Sequence, residues 1–174
     1  MKDFTDTLLY FVPAVLVLGA MFLMVKKFLD KEYKVHIIEA RKMIQKDSLP
    51  LKLQAYERLV LFLERISPSN LLVRTHRTGI SAPQLHADLL ATIRAEFDHN
   101  LSQQIYISTA AWDAVKDAKE ETLKIFNTAY GTIGSNGSGM QLSSQVFEEM
   151  MRRDEIPTQH AIEILKKETR QLLG

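Results

Sequence analysis

Glu96 and His99 stand three residues apart, the spacing that carboxylate-bridged di-metal bundles use to aim two ligands from one helix. A complete centre of that kind needs a second Glu-x-x-His and two further glutamates on facing helices. The chain offers only His160 and Glu163, in reverse order. Phe97 belongs to an apolar stripe, which turns Glu96 and His99 sideways and reads them as a polar helix end. A second group, Arg74-Thr75-His76-Arg77-Thr78-Gly79, puts two guanidiniums and two hydroxyls ahead of a helix start. Arg74, His76 and Arg77 could there contact an anion or an acidic partner. No Gly-x-x-x-x-Gly-Lys or Gly-x-Gly-x-x-Gly accompanies them, so a nucleotide site is not expected. The five histidines include no pair spaced for zinc, and no serine sits in a nucleophile elbow. Glu120-Glu121 and Glu148-Glu149 read as charged helix surface. No catalytic residue, metal ligand or cofactor is therefore assigned.

Composition narrows the classes further. The 22 basic and 21 acidic residues nearly cancel, so no global field draws the protein to nucleic acid. Tyr56, Phe97, Tyr106 and Trp112 are then expected as core aromatics rather than a base-stacking surface. The chain has no cysteine, which excludes disulfides, thiol catalysis and thiolate metal sites and agrees with a reducing cytoplasm.

The elements behind these residues read as all-α, with an N-terminal transmembrane helix, a small cytoplasmic helical bundle and a tethered helical tail. Thr7–Val25 is an uncharged run of 19 residues, about 28 Å as a helix and close to the hydrocarbon thickness of a bilayer. The opening Met-Lys-Asp-Phe-Thr-Asp lacks a basic leader and no small-x-small cleavage site follows, which speaks against a signal peptide. Residues 1–27 are read as this anchor and 28–47 as a juxtamembrane helix, breaking at Asp47-Ser48-Leu49-Pro50. Lys26, Lys27, Lys31, Lys34, Arg41 and Lys42 follow the span while Lys2 alone precedes it, which places the N-terminus outside and the rest in the cytoplasm. Lys26, Lys27, Lys31 and Lys34 would touch the anionic membrane surface.

The bundle is assigned to residues 48–130. Leu53, Tyr56, Leu59, Val60, Phe62, Leu63 and Ile66 form a broad apolar face. Ser81 caps a helix in a box with Gln84, and Leu85, Leu89, Ile93 and Phe97 follow at i+4. Ser108 caps another through Trp112, Val115, Leu123 and Phe126, fading at Gly131. Residues 131–140 have linker composition. The tail, 141–174, holds helices over Leu142–Arg153 and Pro157–Leu173. No internal repeat and no strand stands out.

The runs Leu49–Arg74, Glu96–Tyr106 and Ala111–Glu120 together resemble an uncharacterised bacterial family of short membrane-anchored proteins. That resemblance implies a bacterial inner-membrane protein and transfers no activity and no site residue. The leading expectation is a non-enzymatic adaptor or accessory subunit of an inner-membrane complex, in contact with the bilayer and with membrane or cytoplasmic proteins. A self-assembling homo-oligomeric protein is the alternative, and a membrane-associated hydrolase comes third.

Overall fold

A computed structural model describes the backbone of residues 2–174 and the side chains of residues 16–33, 43 and 46–174. The elements are α1 (Lys2–Ile66), α2 (Pro68–Thr75), α3 (Ala82–Asn100), a 3-10 turn (Leu101–Ile105), α4 (Thr109–Ile133), α5 (Gly139–Met151) and α6 (Pro157–Leu173). The chain divides into two compact units, Met1–Ser48 and Leu49–Gly174. The break expected at Asp47–Pro50 is absent, because α1 stays helical through it. Pro50 removes only the one ladder bond that its missing N–H would make.

In the first unit the transmembrane helix expected over Thr7–Val25 is not supported. Among the described residues no helix is long and apolar enough to cross a membrane. The side chains of residues 7–15 lie outside the described residues. The remainder of the run, Leu16–Val25, is ten residues, about 15 Å of helix or half a hydrocarbon core. It then meets Lys26, Lys27, Asp30, Lys31 and Glu32, whose charges end the apolar window. The inner-membrane location and its orientation fall with the span. So does the premise for membrane contacts by Lys26, Lys27, Lys31 and Lys34; the first three are exposed, and the side chain of Lys34 lies outside the described residues.

The second unit is a helical bundle with one core. Tyr56, Leu59, Phe62, Leu63 and Ile66 of α1 are buried with Leu85, Leu89 and Ile93 of α3 and Trp112, Val115, Ile125 and Phe126 of α4. Leu142 and Val146 of α5 and Ala161, Ile162 and Leu165 of α6 belong to the same core. The expected tethered tail is therefore part of the bundle, held by the removal of its own apolar stripe from water.

Of residues 131–140, only 134–138 lie between helices, where they turn the chain from α4 into α5. α4 runs on to Ile133 and ends at Gly134, whose φ of +73° suits a residue without a Cβ. Ser138 then caps α5 in a box with Gln141, just as Ser81 caps α3 in a box with Gln84. The two starts, Ser81-Ala82-Pro83-Gln84-Leu85 and Ser138-Gly139-Met140-Gln141-Leu142, share a Ser-x-x-Gln-Leu pattern. An isolated antiparallel bridge joins them: Ala82 N–H donates to the Gly137 carbonyl at 2.9 Å, and Gly139 N–H to the Ile80 carbonyl at 2.8 Å. A Cβ on Gly139 would lie 2.9 Å from the Ile80 carbonyl oxygen, so glycine is required for that approach.

Candidate functional site

The expected anion loop is held apart by its own ion pairs. The Arg77 Nη2 lies 2.6 Å from Asp88 Oδ2, and Arg74 Nη2 lies 3.6 Å from Glu96 Oε1. Asp88 and Glu96 are eight residues apart on α3, about 12 Å along its axis. The two guanidiniums therefore serve separate carboxylates. His76 ends α2, its backbone N–H donating to the Leu72 carbonyl. Only Arg77 of the three lines the open concavity of about 480 Å³ formed with Thr78, Gly79, Ile80, Gln84, Ala87 and Asp88.

Glu96 is likewise committed, with Arg65 Nη2 at 2.6 Å on one Oε1 that Arg74 also approaches. This clamp ties the end of α1 and the end of α2 to α3. His99 is exposed, and the Glu96 carboxylate beside it is taken by Arg65 and Arg74. Among the described residues no group of three His, Cys, Asp or Glu side chains could hold a metal ion. Of the four expected core aromatics, Tyr56 and Trp112 are buried and Phe97 packs against the core, while Tyr106 is exposed. Phe97 stacks on Trp112 at 5.4 Å and meets Phe62 at 6.0 Å, with the Lys119 ammonium 4.4 Å above its ring.

A cluster that sequence reading did not single out lies where α1, α4 and α6 meet. The Glu168 carboxylate of α6 accepts from Tyr56 Oη at 2.7 Å. Its two oxygens also lie 2.7 and 2.8 Å from Ser108 Oγ, which donates to the carboxylate. Ser108 Oγ meanwhile accepts from Ala111 N–H at 3.0 Å as the cap of α4. The anion thus sits at a helix N-terminus, where the backbone dipole favours it. Burial first, and then the bond to the Glu168 carboxylate, push the Tyr56 hydroxyl up to about 12. A phenol so raised is a neutral donor rather than a base, and Ser108 has both its proton and a lone pair engaged. The arrangement is a latch holding α6, not a nucleophile and its base. Residues 56, 108 and 168 share no local spacing, so no sequence motif marks them.

Two grooves flank this latch. One of about 480 Å³ is lined by Lys52, Tyr56, Ile105, Tyr106, Gln171 and Leu172, among others. A second of similar volume runs between α1 and α6 over Leu53, Tyr56, Glu57, Val60, Lys166, Thr169 and Arg170. Between α4 and the start of α6, Asp113, Asp117, Glu121, Glu155 and His160 line an acidic groove of about 440 Å³. Its charges are partly answered. Arg153 lies 2.9 Å from Glu121, and that bond holds the Glu121 carboxyl below its ordinary value; Glu155 lies 2.9 Å from His160.

No curated protein and no solved structure matches the chain at a significant level. Residues 2–172 match a family model described as a family of unknown function, DUF7935. With nearly its whole length covered, the chain belongs to that family.

Proposed function

We propose that this protein is a non-enzymatic adaptor or accessory subunit that binds other proteins through its helical domain, with the bacterial origin that the resemblance implies. One contrast carries the reading. Polar groups at the helix junctions are engaged in holding helices together, while apolar side chains that the core does not need stay outside. Glu96, Asp88, Glu168, Tyr56 and Ser108 all have internal partners. On α5, by contrast, Met140, Phe147 and Met151 recur at i, i+7 and i+11 and remain 65%, 44% and 79% exposed. Unbranched methionines beside an aromatic make an adaptable contact face.

The test is affinity capture of the full chain from its native cells after mild cross-linking, with quantitative mass spectrometry. One or a few proteins at near-equal amount are expected. Recovery of the chain alone contradicts an adaptor.

Self-association is the second reading, favoured by the exposed apolar residues Leu16, Val17, Leu18, Met21, Phe22 and Leu23 in the first unit. Light scattering that returns a monomer at every concentration removes it.

A further inference from the structure

The groove between α1 and α6 gathers several cations that no carboxylate among the described residues answers. Its floor is Leu53, Tyr56 and Val60, and its α6 rim carries Lys166 and Arg170. Lys167 stands beside them on the exposed face of α6, and Lys52 borders the adjoining groove. Among the described residues no carboxylate lies within ion-pairing distance of these four cations. The acids along the same stretch are Glu57 and Glu163, since Glu168 is turned inward onto Tyr56 and Ser108. Four cations against two free acids leave the rim positive. An apolar floor beneath a positive rim fits a segment whose apolar side chains are flanked by carboxylates.

We propose that this groove binds an acidic amphipathic segment of a partner protein, its apolar residues over Leu53 and Val60 and its carboxylates on Lys166 and Arg170. The proposal rests on the adaptor reading and gives it a surface and a partner chemistry. Guanidinium and ammonium groups already free of internal partners can meet incoming carboxylates without first breaking a bond within the fold. Binding should therefore weaken steeply with salt.

The experiment selects a displayed library of random peptides on the full chain and measures the enriched peptides by fluorescence anisotropy. Enrichment of peptides combining Asp or Glu with Leu, Ile or Phe is expected. Their affinity should fall roughly tenfold or more in K166E/R170E, the scale of losing charge-assisted contacts and reversing the rim. K166Q/R170Q should lie between that variant and the original. Both side chains are exposed and unpaired, so unchanged circular dichroism and melting temperature show that the variants are folded. Enriched peptides without acidic residues, or binding indifferent to both variants, overturn the groove assignment while leaving an adaptor intact. Stronger binding to vesicles of anionic phospholipid than to any peptide overturns it as well. If no peptide is enriched and cross-linked capture also returns the chain alone, the groove and the adaptor reading fall together.

Discussion

The junction where α1 and α2 meet α3 and the outer face of α6 carry similar cations in opposite circumstances. At the junction Arg65, Arg74 and Arg77 all reach carboxylates of α3, and the reward is mechanical: three helix ends are tied together. On α6 Lys166, Lys167 and Arg170 reach none, and the helix is attached by its acid, Glu168, and its apolar stripe instead. Charge alone therefore does not mark a contact surface. The same residue type is structural where an internal partner has been provided and available where one has not.

The largest test of that contrast removes the acid that holds α6. Glu168→Ala should cost about 2–3 kcal/mol in urea unfolding, because the nearly buried Tyr56 hydroxyl loses its acceptor and the α4 cap loses its anion. Glu96→Ala comes next. It leaves Arg65 and Arg74 facing each other with no acid between them, and a loss of about 1 kcal/mol is expected because both guanidiniums keep access to water.

A third substitution acts on the inward side of α6 with the opposite sign. The Thr158 hydroxyl is fully buried and has no hydrogen-bond partner. Thr158→Val keeps its shape and removes the unsatisfied group, so stability should rise by about 1 kcal/mol in the same urea assay.

Alkaline titration sharpens the latch further. Tyr56 binds its proton more tightly in the folded state, so the stability it contributes is present below its ordinary value of 10 and lost as pH rises toward about 12. Tyrosinate absorbance should show one late-ionising phenol, missing in Tyr56→Phe. The smallest effect is predicted for K166E/R170E, whose unfolding free energy should stay within about 0.5 kcal/mol of the original. A larger loss would mean that these cations are structural after all.

Much of the second unit was legible locally. The Ser81 and Ser108 caps, the Pro157–Leu173 helix and the stripe from Tyr56 to Ile66 all follow from spacing within one or two turns. The region around Gly134–Gly139 misleads because glycine and serine are also the residues of flexible linkers. Here they serve a positive φ, a helix cap and a close backbone approach. The repeated Ser-x-x-Gln-Leu was visible in the chain, yet five residues do not announce a pairing across 57 positions. Glu168 with Tyr56, or Glu96 with Arg65, could not be read at all, because ion and hydrogen-bond partners far apart in sequence leave no periodic trace. The expected membrane span is not supported, because among the described residues, which leave out the side chains of residues 7–15, no helix is long and apolar enough to cross a membrane.

The central claim is that α6 belongs to the folded domain, held from within by Glu168, and turns its unpaired cations outward. Native-state hydrogen exchange of the full chain tests it most directly. The central amides of α6 should be protected to nearly the same free energy as those of α4, and Glu168→Ala should lower α6 protection first. Exchange across α6 at the rate of a frayed, independent helix would contradict the account and remove the groove that depends on it.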